Sequence, residues 1–189
     1  MQTPKERFIS LLVSTGREGV TELLEWLDHT DWYTAPASSR YHGAYPGGLV
    51  DHSLAVFDEC VRLYNAYQDK SEVANLSRQS IILVSLLHDL CKVNTYTPSE
   101  KSRKTGTGWE KYQGYDFDEQ LKFGGHGSKS VFLIMQFIKL SPWEAAAVNC
   151  HMGTWDTTNY TQISDTFKDN PLAYLLHAAD ESAAFIMKK

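Results

Sequence analysis

Apolar residues recur at intervals of three and four positions along most of the chain, a spacing that places them on one face of an α-helix. At the N-terminus, Thr3, Pro4 and Glu6 are typical of a helix start, with Thr3 as the N-cap and Pro4 as the first helical residue. Further helices are predicted at about residues 19–27, 49–68, 77–93, 126–140, 142–151 and 171–187. The pattern therefore predicts an all-α protein.

One predicted helix differs from the others because it is apolar nearly all round. Its centre, "IILVSLLHDL" at residues 81–90, has no continuous polar face. A helix of this kind belongs in the middle of a bundle, where every side meets another helix.

Two stretches depart from helical spacing. Residues 30–47 are rich in turn-forming residues, including the start of a Pro-Gly-Gly turn, and are interpreted as a loop. Residues 94–125 are polar, contain several glycines and alternate around Trp109, Tyr112 and Tyr115. This second stretch predicts an exposed loop and a β-hairpin inserted between helices.

No internal repeat, low-complexity stretch or interdomain linker interrupts the sequence pattern. We therefore expect one domain over residues 1–189, in which residues 1–40 form N-terminal helices and a loop and residues 41–187 form the helical core. A chain of this length buries about 70% of the surface that it exposes when unfolded. Folding then requires neither disulfides nor a metal ion.

The formal net charge is −5 at pH 7, and 22% of the residues are charged. An acidic balance argues against a duplex-DNA-binding protein, because such proteins neutralise many phosphates with lysine and arginine. A local basic pocket for a nucleotide remains compatible with this composition.

Three cysteines, Cys60, Cys91 and Cys150, are widely spaced, and no two of them form a CxxC pair. Each has apolar neighbours, so they are interpreted as buried free thiols in a reducing compartment. The N-terminal segment is polar and lacks the apolar core of a signal peptide, and the longest apolar run, residues 81–87, is too short to cross a bilayer. A cytoplasmic protein without a membrane partner is expected.

Histidines and aspartates occur at the ends or inner faces of the apolar helices. The pair His88-Asp89 ends the central apolar helix, and a buried carboxylate is rare unless it is paired or bound to a metal. Asp180 poses the same problem within "LAYLLHAADESAAF". Imidazole nitrogens and carboxylate oxygens are ligands of hard or borderline divalent ions. The residues that could share such a centre are His52, His88, Asp89, His126, His151 and Asp180.

The segments that carry these residues resemble the HD-domain superfamily of metal-dependent phosphohydrolases. They read "GGLVDHSL", "LLHDLCKV", "GGHGSKSV", "CHMG" and "LHAADESAA", and the resemblance covers roughly residues 41–185. The first segment is similar to the GGL-x-x-H-[ST] segment of the exoribonuclease-type HD branch. The resemblance implies an HD-domain helical bundle that binds divalent metal ions.

The resemblance also implies a role for each matching residue. The ligands of a first ion would be His52, His88, Asp89 and Asp180. His126 and His151 match the additional histidines of two-metal members, in which the aspartate equivalent to Asp89 bridges both ions. The expected cofactors are two divalent ions, drawn from Mn²⁺, Mg²⁺, Fe²⁺, Co²⁺ and Ni²⁺.

Three residues are candidates for contact with the substrate. Lys92 matches the lysine of the HD-x-x-K motif, which faces the substrate phosphate. Lys92 and Asp89 are the expected catalytic residues. The alternative for Lys92 is a solvated lysine at a helix end. His42 is either a substrate contact or a surface-loop histidine. Lys104 belongs to a cationic group in the inserted segment, interpreted either as a solvated loop or as a phosphate-attracting lid. His177, one turn before Asp180, either supports the site or packs in the core.

The expected function is a phosphohydrolase or phosphodiesterase that acts through a metal-bound water. Its substrate would be a small phosphate ester, a nucleotide or a short single-stranded nucleic acid. Exoribonuclease-type relatives carry an N-terminal oligonucleotide-binding domain, whereas about forty residues, interpreted as helices, precede the similarity here; this argues against processive RNA degradation. The alternatives are a diiron oxygenase of the same fold and a non-catalytic nucleotide-binding regulatory module.

Overall fold

The computed structural model describes residues 2–119, 122–156 and 159–187, and these are largely helical. The α-helices are α1 (Pro4–Ser14), α2 (Val20–Asp28), α3 (Gly48–Tyr67), α4 (Ser71–Ala74), α5 (Arg78–Leu87), α6 (His126–Ile134), α7 (Pro142–Cys150), α8 (Tyr160–Asp169) and α9 (Pro171–Glu181). Two strands, β1 (Tyr96–Thr105) and β2 (Gly108–Phe117), form an antiparallel hairpin. Short 3₁₀-helices lie at Leu90–Lys92 and Gly153–Trp155, and a π-helix at Ser182–Met187 follows α9.

The predicted start of the first helix is confirmed. The Thr3 hydroxyl accepts a hydrogen bond from the Glu6 amide at 3.2 Å, and the Glu6 carboxylate accepts one from the Thr3 amide at 2.8 Å. This reciprocal pair satisfies two amides that the first turn would otherwise leave unbonded.

Helix α5 lies in the middle of the bundle, as its apolar sequence predicts. Every residue from position 81 to position 87 is buried, and α5 packs against α1, α3, α7 and α9. Because α3 and α9 also pack against each other, these central helices bring their inner faces to one place. That place is where the predicted histidines and aspartates lie.

The prediction of one helix over residues 77–93 is wrong at its C-terminal end. Helix α5 stops at Leu87, and the Nδ1 atom of His88 bonds the Ser85 carbonyl oxygen at 2.8 Å. Asp89 then adopts φ −99° and ψ 21°, outside the helical region, before the 3₁₀-helix begins. Apolar periodicity continues through this break because residues 90 and 91 are also buried, so it could not reveal where the backbone turns.

Other helix ends differ from the predictions by smaller amounts or through a change in helix type. The helices predicted at 19–27, 49–68 and 142–151 agree with α2, α3 and α7 to within one residue. Helix α6 ends at Ile134 rather than at 140, although Ile138 remains buried, and the last six residues of the helix predicted at 171–187 are π-helical. Helices α4 and α8 were not predicted: α4 has only four residues, and α8 is polar apart from Tyr160, Ile163 and Phe167.

The predicted β-hairpin is confirmed within residues 94–125. Tyr96 pairs with Phe117 at its base, Thr105 pairs with Gly108 at its tip, and most side chains between them are exposed. We call residues 96–117 the hairpin arm. The Asp118 amide donates to the Thr95 carbonyl oxygen at 2.8 Å and so closes the base of the arm.

Helices α6 and α7 approach closely at Gly127. A Cβ atom at this position would lie 2.2 Å from the Asn149 carbonyl oxygen, which no real side chain tolerates. The Gly127 amide also donates to the Asp156 carboxylate at 3.2 Å. Glycine at 127 therefore lets the first residue of α6 and the last residues of α7 lie side by side.

Among the described residues, the structure contains no helix that is both long enough and apolar enough to cross a membrane.

Candidate metal centre

The six predicted ligands come from five places in the fold, since His88 and Asp89 are consecutive residues. His52 is on the first turns of α3, His88 and His151 follow the last residues of α5 and α7, and Asp180 is near the end of α9. Asp89 precedes the 3₁₀-helix, and His126 is the first residue of α6.

The structure brings His52, His88 and Asp180 together. Each offers a ligand-type atom within 4.8 Å of the others, and all three residues are buried. The Nε2 atom of His52 lies 3.0 Å from Oδ1 of Asp180, and the Nε2 atom of His88 lies 3.8 Å from the same oxygen. The rings of His52 and His88 are 5.4 Å apart between centroids.

Asp89 occupies the middle of the cluster. Its Oδ2 atom lies 3.4 Å from Nε2 of His88 and 3.7 Å from Nε2 of His52, while its Oδ1 atom lies 3.7 Å from Nε2 of His151. The Lys92 ammonium contacts Oδ2 at 2.6 Å. His88, Asp89 and His151 thus form a second buried group with ligand atoms within 4.8 Å of one another.

His126 joins the cluster through a third group, made of Asp89, Cys91 and His126. This histidine is half-buried, but its Nδ1 atom is shielded from solvent and has no hydrogen-bond partner within the described residues. All six predicted ligands therefore lie in or beside one cluster around Asp89.

Two of the histidines are held in the tautomer that a metal requires. Nδ1 of His88 bonds the Ser85 carbonyl oxygen at 2.8 Å, and Nδ1 of His151 bonds the Val148 carbonyl oxygen at 2.7 Å. A carbonyl oxygen can only accept, so each Nδ1 carries a proton and a neutral ring keeps its lone pair on Nε2. Both Nε2 atoms point toward Asp89.

The donor set fits a divalent ion. In the described part of the chain, Nε2 of His88, Nε2 of His151 and Oδ1 of Asp89 are buried without a hydrogen-bond partner, which is costly unless a cation binds them. Two ligands of one ion, each about 2.1 Å from it, lie roughly 3.0–3.4 Å apart in octahedral or tetrahedral geometry. The separations of 3.0–3.8 Å around Asp89 and Asp180 are close to this range.

The two carboxylates are anionic at neutral pH. Burial raises the pKa of Asp89, but the charge of Lys92 acts against burial and helps to hold that pKa well below its ordinary value. Burial likewise raises the pKa of Asp180, and the contact with His52 is the largest of the effects that lower it overall. Burial lowers the pKa of Lys92, yet Asp89 reverses this effect and keeps the lysine protonated.

The candidate substrate residues differ in where they lie. The His42 ring is 4.7 Å from the His52 ring between centroids, and burial, followed by the charges of His52 and Lys92, lowers the pKa of His42 to about 4. A neutral imidazole therefore lines the approach to the cluster. Lys104 is exposed near the tip of the hairpin arm, eight residues from Tyr96 and so about 26 Å along the strand. Its placement gives no support to the prediction that it binds substrate.

His177 contacts the backbone of one of the predicted ligands, His151. Its Nδ1 atom bonds the His151 carbonyl oxygen at 2.7 Å, and its ring stacks on Phe167 at 4.9 Å. The sequence left two interpretations of His177, support of the site or packing in the core. The hydrogen bond to the His151 backbone agrees with the first.

Three residues near the cluster were not predicted as part of it. Cys91 was interpreted only as a buried thiol, because its neighbours in sequence are apolar. Lys129 is buried, lies one turn after His126 and pairs with Glu119 at 3.0 Å; its spacing from His126 was the available signal. Tyr96 is half-buried beside Lys92, where burial raises the pKa of its phenol, and no sequence signal marked it.

Comparison with known proteins gives one relevant similarity. A protein of Methanocaldococcus jannaschii named dihydroneopterin 2',3'-cyclic phosphate phosphodiesterase is 28% identical to this chain over 148 residues. The aligned region covers 78% of this chain and 51% of that protein, so the chain spans about half of its relative's length. No protein-family model and no solved structure matches the chain.

Proposed function

We propose that this protein is a metal-dependent phosphoester hydrolase of the HD-domain type, acting as a phosphodiesterase on a nucleotide-like substrate. The observation that carries the proposal is the convergence of four histidines and two aspartates from separate helices, with Lys92 in contact with the central carboxylate. The name of the similar archaeal protein supports the same class of chemistry.

The metal ligands in this proposal fall into two overlapping sets. His52, His88, Asp89 and Asp180 would hold the first ion. His126 and His151 would help hold the second, and Asp89 would contribute to both sites, since its Oδ2 atom lies near His52 and His88 and its Oδ1 atom lies near His151. Bound divalent ions would supply Lewis-acid polarisation of the phosphoryl group and an acidified water.

The side chains of the protein would bind and orient the phosphate ester. Lys92 is buried and protonated, and its ammonium already lies against an anionic oxygen. Once divalent ions neutralise Asp89, the same ammonium is available to a phosphate oxygen, where it would stabilise negative charge as the reaction proceeds. His42, neutral and beside His52, would offer a hydrogen bond to the substrate.

We infer the substrate class from the buried position of the cluster and from the name of the similar protein. A nucleotide, a short single-stranded oligonucleotide or another small phosphate ester would reach a buried cluster between helices, whereas a rigid duplex would not. A 2',3'-cyclic phosphate is a specific candidate, because the similar archaeal protein is named for that bond.

The proposal is tested by a hydrolysis panel on purified protein stripped of metal and reloaded separately with Mn²⁺, Mg²⁺, Fe²⁺, Co²⁺ and Ni²⁺. The panel contains a generic phosphodiester, a generic phosphomonoester, 2',3'-cyclic nucleotides and a short single-stranded RNA. We expect metal-dependent cleavage of diesters that a chelator abolishes. Metal binding without hydrolysis, accompanied by oxygen consumption in the iron form, would instead favour an oxygenase; nucleotide binding without turnover would favour a regulatory module.

A further inference from the structure

Cys91 lies at the edge of the cluster, on the side of His126. Its thiol, a carboxylate oxygen of Asp89 and an imidazole nitrogen of His126 all lie within 4.8 Å of one another. Cys91 is 3% exposed, and its amide donates to the Ser130 hydroxyl at 3.0 Å, which anchors the 3₁₀-helix to α6.

The surroundings of this cysteine differ from those of a cysteine in an apolar core. Cys60 belongs to the main apolar cluster, and its thiol contacts the Leu175 carbonyl oxygen at 3.8 Å. Cys91 is not part of that apolar cluster, and its thiol instead lies near ligand-type atoms of Asp89 and His126. Packing of an apolar core therefore does not explain its position.

Two buried polar atoms on this side of the cluster lack hydrogen-bond partners among the described residues. Within the described residues, Oδ1 of the buried Asp89 and Nδ1 of His126 are both shielded from solvent without a hydrogen-bond partner. Buried polar atoms of this kind need a partner, and a cation between them would satisfy both at once.

We propose that the Cys91 thiol is a ligand of the second metal ion, together with Asp89 and His126. This inference rests on the proposed function, because it assigns a further ligand to the same centre. On coordination the thiol would lose its proton to solvent as the sulfur–metal bond forms, with no change of oxidation state.

A thiolate ligand makes the second position selective for certain metals. Thiolate favours borderline ions such as Zn²⁺, Fe²⁺ and Co²⁺, whereas Mg²⁺ and Mn²⁺ prefer oxygen ligands. The first position has only imidazole and carboxylate ligands, so no thiolate favours borderline ions over Mg²⁺ and Mn²⁺ there. Of the metals expected from the sequence, Fe²⁺ and Co²⁺ should therefore occupy the second position in preference to Mg²⁺.

The test is an anaerobic titration of metal-free protein with Co²⁺, followed by absorption spectroscopy. A thiolate bound to Co²⁺ gives a charge-transfer band in the near ultraviolet, which imidazole and carboxylate ligands do not. Cys91→Ser keeps the size and the polar contact to Ser130 but replaces the thiol with a poor ligand. Cys60→Ser and Cys150→Ser are the matched controls, since both also replace a buried cysteine.

We expect the charge-transfer band in the wild type and in both control variants. Its intensity should stop rising at the molar equivalent of Co²⁺ that fills the second position. The band should be absent in Cys91→Ser. The affinity of that position for Co²⁺ should fall at least about tenfold, since even outer-shell changes have effects of this size. If Cys91→Ser fails to fold, as judged by circular dichroism, Cys91→Ala provides the same comparison.

A band that persists in the Cys91 variant, or two bound Co²⁺ ions without any band in the wild type, would overturn the assignment of Cys91. Cobalt-dependent hydrolysis in such a protein would leave the proposed function standing. A wild-type protein that binds no Co²⁺ at all would overturn both.

Discussion

The ammonium of Lys92 lies 2.6 Å from Oδ2 of Asp89, and both side chains are buried. Lys92 is three residues after Asp89, and the 3₁₀-helix between them turns both side chains toward the same point. Desolvating two opposite charges is compensated only when their geometry is good and the remaining polar atoms are satisfied. In this pair Oδ1 of Asp89 lacks such a partner in the described part of the chain, which points to a role beyond stability.

Replacing Lys92 with methionine tests its proposed contact with the substrate. We expect kcat to fall by about 10²–10³, because one charged donor to the developing phosphate charge is removed. The metal content should stay at the wild-type level, since Lys92 is not a metal ligand. Steady-state kinetics and elemental analysis of the same samples measure the two quantities.

Lys104→Met is the control for Lys92→Met, because it removes the same charge from an exposed position on the hairpin arm. We expect kcat/KM to change less than about twofold. A loss as large as that in Lys92→Met would show that the arm folds over the site and would restore the predicted role of Lys104.

Asp89→Asn keeps the size of the central side chain but removes its charge. We expect bound metal to be lost and turnover to fall by orders of magnitude, while the fold survives on its apolar core. Loss of an ion present at a hundredfold excess over its Kd removes about 2.7 kcal/mol of apparent stability. Metal analysis, thermal unfolding and hydrolysis of a generic phosphodiester should be compared with those of Asp58→Asn, which alters an exposed carboxylate on α3.

Wild-type activity in Asp89→Asn would contradict the proposal of a metal-dependent hydrolase. Complete unfolding of this variant with a folded Asp58 control would mean that the centre is chiefly structural.

The number of ions is a separate prediction. We expect two ions per chain, about 3.5–4 Å apart, as in other two-metal hydrolytic sites. His126→Ala and His151→Ala should each reduce the stoichiometry toward one, because each removes a ligand of the second ion only. X-ray absorption measures the metal–metal distance, and a single ion in the wild type under saturating conditions would contradict the prediction.

Glu144 provides a prediction about stability that is independent of the metal centre. Its carboxylate accepts hydrogen bonds from Arg17 at 2.8 and 3.1 Å, from the Ser80 hydroxyl at 2.8 Å and from the Ser141 amide at 2.8 Å. Burial raises the pKa of Glu144, but these hydrogen bonds outweigh burial and bring the pKa below its ordinary value of 4.5. The folded state therefore binds this proton less readily than the unfolded state.

Because the pKa in the folded state is depressed, the contribution of Glu144 is fully present above about pH 4.5 and is lost as the pH falls through the folded pKa. Glu144→Gln should lower the free energy of unfolding at pH 7 by about 3 kcal/mol and flatten its dependence on pH below 4.5. Urea unfolding from pH 3 to pH 7 measures both effects. Glu110→Gln alters an exposed ion pair on the hairpin arm. It should change the free energy of unfolding by no more than about 0.5 kcal/mol at any pH between 3 and 7.

The sequence predicted the helical class and the hairpin because both depend on local signals. The Thr3 cap, the apolar run of α5 and the alternation around Tyr112 all act over a few residues. The break after Leu87 was missed because residues on both sides of it are buried, so hydrophobic periodicity does not change there. Its position depends on where His88 and Asp89 must point, which is a tertiary requirement.

For the candidate site, residue type, position on apolar helices and the family resemblance selected six side chains, and the structure brings the other five close to Asp89. The same reasoning could not separate Cys91 from Cys60, because both have apolar neighbours in sequence and only the fold places the Cys91 thiol beside Asp89 and His126. It also kept Lys104 as a substrate candidate beside Lys92, since the distance between Lys104 and the cluster depends on how far the hairpin arm extends from its base.

The closed base of the hairpin arm has an evolutionary consequence. Thr95 and Asp118 are joined by a backbone hydrogen bond, so the chain leaves and re-enters the helical body at adjacent points. Residues 97–116 could be exchanged for a tight turn or for a different insert without moving those points by more than about one strand spacing. The length and sequence of this insert are therefore free to change while the helices that carry the histidines and aspartates keep their arrangement. The fold thereby separates the hairpin arm, whose length and sequence can change, from the helices, whose arrangement holds the histidines and aspartates together.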